Sequence, residues 1–230
     1  MCRSSETVLI YFARSVGEDL KQNRFSGKGY HRSLIDRLHR HTLKTIRSTE
    51  LPVLFFDEKN QVGHNLAERL THAFSEAFAK GYKNVIAVGN DTPDLDGKII
   101  IQATDALAVG NPVLGPSQDG GNYLIGLCKE DFNAPEFCKA LENHNETNSR
   151  LGQLLAKHVQ LEWLTDIDDQ ISLFAWMRSS SNAIEKILFR KEVKSALSGS
   201  AKERGYVQTL SHRIGISEIS DRGPPLALAV

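Results

Sequence analysis

Two short turns in the middle of the chain bear the residues best suited to polar chemistry. The first, Gly89-Asn90-Asp91-Thr92-Pro93-Asp94-Leu95, directly follows the apolar run Val85-Ile86-Ala87-Val88. The second, Gly115-Pro116-Ser117-Gln118-Asp119-Gly120-Gly121-Asn122, leads into Tyr123-Leu124-Ile125-Gly126-Leu127. A short apolar run rich in β-branched residues and stopped by Gly reads as a buried parallel strand. Asp91 then stands at a strand's carboxyl end, where open α/β sheets bind their ligands. Adjacent glycines beside Asp119 allow the backbone to approach a ligand closely, or a turn with positive φ. Two Asp-bearing turns on the ends of buried strands point to one shared site. A third acidic group, Asp166-Ile167-Asp168-Asp169, follows a later apolar stretch. Carboxylates so placed can hold a hard divalent cation, accept a proton, or simply close an Asx turn or cap a helix.

The elements that must position these turns alternate along the chain. Residues 8–12 read as a first strand, followed by a polar loop over residues 14–30. Leu34, Ile35, Leu38 and Ile46 then lie at broadly helical spacing, and residues 52–56 read as a second strand. Leu66, Leu70, Ala73, Phe74, Ala77 and Phe78 recur at i, i+4, i+7 and i+8, an amphipathic helix that Gly81 can end. After the strand at 85–88 come a helix over 98–108, a short strand over 112–114 and a strand over 122–127. Helices over 134–143 and 150–158, an edge strand over 160–164 and a helix over 170–177 complete the pattern. This order predicts an α/β domain with a mostly parallel central sheet covered on both faces, with room for one antiparallel strand.

Composition narrows the class. The chain has 230 residues, 40% of them hydrophobic, enough for one large α/β domain. Its 28 basic and 28 acidic residues cancel, so no net field attracts nucleic acid or an anionic membrane. Cys2, Cys128 and Cys138 form no C-x-x-C and are odd in number, as expected of a reduced, cytoplasmic protein. The apolar run at 7–13 is too short for a signal-peptide core, and no segment approaches the ~20 apolar residues of a membrane helix. The eight histidines form no H-E-x-x-H; His39 and His41 flank Arg40 and read as surface or packing residues. No G-x-G-x-x-G follows a strand and no G-x-x-x-x-G-K-[ST] occurs, against a Rossmann dehydrogenase or a P-loop ATPase.

The pattern G-x-D-x-P-x-L, followed by G-P-x-x-D-G-G-x-Y-L-I-G-L, resembles a bacterial family of GT-A-like glycosyltransferases, the DUF2064-like nucleotide-diphospho-sugar transferase proteins of unknown function. The resemblance covers residues 7–176. It implies a three-layer GT-A-like fold related to the nucleotidyltransferases, a nucleotide-diphosphate sugar as donor, an unidentified acceptor, and Mg²⁺ or Mn²⁺ as cofactor. Asp91 matches the family's metal-associated Asp, with an Asx turn before Pro93 as the alternative. Gly89, Asn90, Pro93 and Asp94 would lie around the donor, although Asp94 also suits a cap on the next helix. Asp119 is placed as the carboxylate that takes the acceptor's proton, or that contacts the sugar hydroxyls, or as part of a plain β-turn. Gly120 and Gly121 would leave room for the donor, and Asn122 stands where relatives place an aromatic residue. Residues 166–169 resemble the family's D-[IV]-D segment, in which Asp168 would complete the metal site; capping of the helix at 170–177 competes.

The departures from the family are equally specific. Relatives carry a phosphate-gripping loop after the first strand, but here the chain reads Phe12-Ala13-Arg14-Ser15-Val16-Gly17-Glu18-Asp19-Leu20-Lys21-Gln22-Asn23-Arg24-Phe25. Arg14 and Arg24 keep the basic positions and suit phosphate oxygens; a solvated loop is the alternative, and Glu18 and Asp19 add negative charge. Gly63, Leu66, Glu68 and Arg69 resemble the family's G-x-x-L-G-E-R segment, in which Arg69 would reach the base or ribose or, as the favoured reading, pair with a neighbouring carboxylate in a structural role. The family's W-G-T-S segment is rewritten as Glu146-Thr147-Asn148-Ser149. The reading is a transferase domain over 1–177 and a helical appendage with a tail over 178–230, for which packing on the core, homodimerisation and mobility all stay open. A metal-dependent glycosyltransferase, a nucleotidyltransferase acting on a nucleoside triphosphate, and a non-catalytic binding relative are the functions to separate.

Overall fold

The computed structural model of the protein describes residues 6–22, 25 and 28–178. Among the described residues, six strands form one sheet: β1 (Thr7–Phe12), β2 (Val53–Phe56), β3 (Asn84–Val88), β4 (Val113–Pro116), β5 (Asn122–Cys128) and β6 (Val159–Gln160), in the order β2-β1-β3-β5-β4-β6. β1 pairs in parallel with β2 and β3, and β4 with β6, while β5 runs antiparallel between β3 and β4. This is the mostly parallel sheet expected from the element order. The exception has a simple cause. The short turn between β4 and β5 permits only an antiparallel return, whereas parallel neighbours need a crossover long enough to hold a helix.

Among the described residues, seven α-helices flank the sheet: α1 (Val16–Asp19), α2 (Lys28–Arg47), α3 (Leu66–Ala79), α4 (Gly97–Ala108), α5 (Ala134–Leu141), α6 (Thr147–Leu154) and α7 (Gln170–Arg178). Strand residues alternate between two cores, as side chains of period two must. Val8, Ile10, Val85 and Ile125 pack against Phe74 and Ala77 of α3, Phe137 of α5 and Leu151 of α6. Leu9, Ile86 and Leu124 pack against Ile46 of α2 and Ile100 and Leu107 of α4. Burial on both sides is why β1 and β3 read as continuous apolar runs. A third cluster, Leu34, Ile35 and Leu38 of α2 with Ile167, Leu173 and Trp176, draws α7 onto α2.

Local chemistry sets several boundaries. Asn65 accepts a bond from Glu68 N while Glu68 Oε2 accepts from His64 N, which starts α3. Asp96, not Asp94, caps α4 by accepting from Ile99 N at 3.0 Å. Residues 14–22 form α1 and a 3₁₀ turn (Leu20–Gln22) where a polar loop was expected, because Ser15 caps α1 from its β-region backbone. The expected edge strand at 160–164 pairs only over Val159–Gln160, then returns for a single parallel bridge between Ser117 and Leu164. Cys128 is free and buried, Cys138 free and half-buried. Among the described residues, no helix is long and apolar enough to cross a membrane. Arg24, Cys2 and, past Arg178, the expected appendage and tail lie outside the described residues.

Candidate active site

The carboxyl end of β3, the turn between β4 and β5, and residues 164–168 meet at one edge of the sheet. Backbone bonds hold them together: Ile167 N donates to Asp91 O at 2.8 Å, and Gln118 N to Leu164 O at 3.1 Å. The third acidic segment is thereby threaded between the two turns. Asp166 is the residue this brings inward. Its Oδ1 accepts from Thr92 Oγ1 at 2.5 Å, and its carboxyl also meets the hydroxyl of Ser117, which is fully buried. Burial foremost, and then the charge of Asp91, push its pKa up to about 8, with the Thr92 and Ser117 hydroxyls acting against that rise. The charge of Asp91 thus lies close enough to Asp166 to favour its protonated form.

Ser117 passes the arrangement on to the second turn. Its hydroxyl donates to Asp119 Oδ1, which also accepts from Gly121 N at 2.9 Å. Asp119 Oδ2 lies 2.8 Å from His144 Nε2. A polar line thus runs Asp91, Asp166, Ser117, Asp119, His144. The His144 imidazole holds Asp119 well below the usual carboxylate range, helped by Ser117 and Gly121 and opposed by burial. The same contact raises the His144 pKa, and Asp168 and Asp166 add to the rise.

This pair has a defined pH window. Asp119, with its folded pKa lowered, contributes stability above the ordinary carboxylate range and loses it as pH falls. His144, with its folded pKa raised, contributes below about pH 6.5 and loses it as pH rises through its folded value. His144→Ala is expected to cost at most about 1 kcal/mol, since the ring is largely solvated. Urea unfolding should show the full loss between about pH 4 and 6.5, shrinking as pH rises further through the raised His144 value.

The other residues singled out from the sequence divide sharply. Asn90 is buried, and its amide Nδ2 donates to Asp19 Oδ2 at 2.9 Å, so it does not face a donor. Asp19, expected to add negative charge beside a phosphate, is instead turned inward. It takes His39 Nε2 at 3.1 Å, and His39 Nδ1 meets the Tyr11 hydroxyl at 2.8 Å. Burial, then Asp19 and Asp91, raise the Tyr11 pKa. Asp94 accepts from Trp176 Nε1 at 2.7 Å, bracing α7 rather than capping α4. Gly89 leaves room for its neighbour: a β-carbon there would lie 3.0 Å from Asp91 Oδ1. Pro93 is half-buried in the same turn. Asp168 is exposed beside the start of α7, where Asp169 caps Ser172 N at 2.8 Å. Asn122 donates to Asn148 Oδ1 at 2.9 Å, and its own Oδ1 is buried without a partner. Arg14 is exposed just past β1, and Lys21 pairs with Glu18 at 2.5 Å.

The two glycines of the second turn make room for protein. Gly120 has φ +92°, and a β-carbon there would sit 2.1 Å from the Asn145 carbonyl oxygen. At Gly121 it would lie 3.2 Å from His144 Cε1 and 3.1 Å from Ser117 Oγ. The expected space for a donor is thus taken up by residues 144–145. Gly120→Ala combines backbone strain with a backbone clash and is expected to cost about 3 kcal/mol or more, read as a lowered urea midpoint.

The sequence reading singles out Asp168, whereas the structure sets Asp166 between the two turns. In an extended D-I-D segment both carboxylates project to the same side, and only the bond from Ile167 N to Asp91 O decides which one lies between the turns.

Comparisons with known proteins agree with this architecture. Residues 50–142, which include both Asp-bearing turns, match the family of uncharacterised proteins conserved in bacteria, DUF2064. No curated protein matches the sequence. The crystal structure of a candidate nucleotide-diphospho-sugar transferase from Desulfovibrio desulfuricans G20 has 21% identity and a TM-score of 0.61, covering 92% of this chain and 98% of that one. Rv0371c from Mycobacterium tuberculosis H37Rv has 12% identity and a TM-score of 0.45 over 75% of this chain and 96% of that one. The 4-diphosphocytidyl-2C-methyl-D-erythritol synthase of Anaerococcus prevotii DSM 20548 has 12% identity and a TM-score of 0.44 over 76% and 97%. These last two share too little of the fold to inform the site. The resemblance carried by the two Asp-bearing turns therefore holds: over residues 50–142 the chain is similar to the bacterial family DUF2064, and its fold is similar to that of a candidate nucleotide-diphospho-sugar transferase.

Proposed function

We propose that this chain is a nucleotide-utilising transferase and, within that class, a metal-dependent glycosyltransferase taking its sugar from a nucleotide-diphosphate donor. The observation that carries the reading is the half-buried Asp91 and Asp166 pair at the carboxyl end of the sheet, with Asp166 raised to about 8. Opposed carboxylates of this kind are relieved by a cation. Among the described residues, no group of three or more His, Cys, Asp and Glu side chains is arranged to hold a metal unaided. That disfavours a closed structural site and suits Mg²⁺ or Mn²⁺, which takes one or two carboxylates and completes its shell with water and phosphate oxygens. Asp91 and Asp166 would hold the ion, with Asp168 at the outer edge, and the ion would supply neutralisation of the leaving diphosphate's charge.

The remaining roles follow from position. Thr92 and Ser117 fix the Asp166 carboxyl. Arg14 stands exposed after β1, where its guanidinium can meet a diphosphate. The region after β1 also weighs between the alternatives. A nucleotidyltransferase must grip a triphosphate there, but α1 fills that place, and Ser15 N and Oγ both donate to Glu58 at 2.8 Å. Carboxylates at that point oppose a triphosphate more than a diphosphate.

Calorimetric titration of the full chain with UDP, GDP, dTDP, CDP and ADP, with and without Mn²⁺, tests the reading. Mn²⁺-dependent binding of one diphosphate, lost in Asp91→Ala, supports it and names the base. Pyrophosphate release from a nucleoside triphosphate would instead establish the nucleotidyltransferase. Absence of any nucleotide binding would leave a non-catalytic relative.

A further inference from the structure

The resemblance makes Asp119 the carboxylate that would take the acceptor's proton, yet both of its oxygens are already engaged. Oδ1 accepts from Ser117 and from Gly121 N, and Oδ2 from His144. One step further out, His144 has a side chain 60% exposed, and its Nδ1 meets no partner among the described residues. With Asp119 accepting from Nε2–H, the neutral ring carries its lone pair on Nδ1. The fold holds this ring firmly to the turn. Asn148 N donates to Gly120 O at 3.1 Å, the Asn145 carbonyl fills the space a Gly120 β-carbon would need, and Gly121 lets the imidazole come within van der Waals reach. The groups surrounding the ring are Asp119 in contact and Asp166 and Asp168 at longer range, all of which stabilise an imidazolium once it forms.

We infer that His144 is the proton acceptor of the transfer, oriented by Asp119, so that this chain uses an Asp–His dyad in place of a lone carboxylate. The inference rests on the transferase reading above. In the step, the acceptor's hydroxyl oxygen bonds to the sugar's anomeric carbon. The bond from that carbon to the diphosphate oxygen breaks, and its electron pair leaves with the diphosphate. The hydroxyl proton passes to the Nδ1 lone pair, and Asp119 holds the resulting charge. Asp119 is a positioning residue in this scheme. A dyad also accounts for the two glycines, whose missing side chains admit residues 144–145 rather than the donor.

Two experiments on the full chain decide it. In the first, Mn²⁺-dependent release of nucleoside diphosphate is followed from UDP-, GDP-, dTDP-, CDP- and ADP-glucose, with water standing in for the acceptor. His144→Ala is expected to lower kcat about 100-fold while diphosphate binding stays within about twofold, and added imidazole should restore part of the rate. A kcat within about threefold of the parent, or no rescue by imidazole, overturns the proposal. The second needs no turnover. Long-range ¹H–¹⁵N spectra should place the neutral His144 proton on Nε2 in the parent and lose that preference in Asp119→Ala; a proton on Nδ1 in the parent overturns the dyad. Failure of the parent to bind any diphosphate is a separate outcome: it removes the transferase reading, and the proton-acceptor role with it.

Discussion

Asp166→Asn is expected to weaken Mn²⁺-dependent diphosphate binding by at least about 100-fold and, in the absence of metal, to raise the melting temperature at pH 8.5. Both effects come from one placement. Asp166 is held by Thr92 and Ser117 within reach of the Asp91 charge, and its pKa stands at about 8. A carboxyl whose folded pKa lies above its unfolded value of roughly 4 binds a proton in the native state that the unfolded chain has already released. Native stability therefore falls as pH rises from about 4 to 8, and the penalty is complete above that. The amide keeps the Thr92 contact and removes the charge. The parent and Asp166→Asn should thus melt together near pH 4 and diverge as pH rises, the variant being the more stable. Adding Mn²⁺ should close the gap by stabilising the parent alone. A variant that melts lower than the parent at pH 8.5 would show that the carboxyl is not held against Asp91. Stability given up at a site that needs opposed charges is the ordinary trade of active sites.

The second large effect concerns a residue far less exposed. Asp19→Ala is expected to destabilise the domain by about 3 kcal/mol, or roughly 6–12 °C in melting temperature for a domain of this size. Asp19 is 5% exposed, and its Oδ2 takes donors from His39 on α2 and Asn90 at the end of β3. Removing it takes away the acceptor they share and leaves two buried polar side chains with only each other, Asn90 Nδ2 lying 2.8 Å from His39 Nε2. The loss would not stop at stability. Asn90 adjoins Asp91, so freeing its amide loosens the turn that presents the site's first carboxylate. Asp19→Asn, which keeps an acceptor oxygen, should recover about half of the loss. Equal melting of Asp19→Ala and the parent would rule out a structural role for this cluster.

The cluster also shows where a linear reading of the chain reaches its limit. Glu18 and Asp19 follow the first strand where relatives grip phosphate, and by charge alone both oppose it. Four-residue α1 rotates them apart: Glu18 remains at the surface with Lys21, and Asp19 turns into the core. The rotation depends on His39 and Asn90, which lie 20 and 71 residues away. The same holds for Asn90, which the resemblance places around the donor and whose amide donates to Asp19. Gly120 and Gly121 were legible as positions needing close approach. What approaches them, the backbone at Asn145 and the ring of His144, comes from a segment with no local pattern to announce it.

Local chemistry determined the sheet and pointed to one shared candidate site. Apolar runs at β1 and β3 need burial on both faces, short turns permit only certain returns, and helical spacing in α3 and α4 leaves one apolar side. From these the strand order's parallel character, the two Asp-bearing turns and their meeting at the carboxyl end follow without coordinates. Tertiary structure decided which carboxylates meet. Asp166 rather than Asp168 faces Asp91 because a single backbone bond from Ile167 fixes the register of an extended segment, and in such a segment the two aspartates look alike. His144 reaches Asp119 because a positive-φ glycine lets a distant turn pack onto its own. Such choices depend on bonds between residues far apart in the chain, and spacing along it does not encode them.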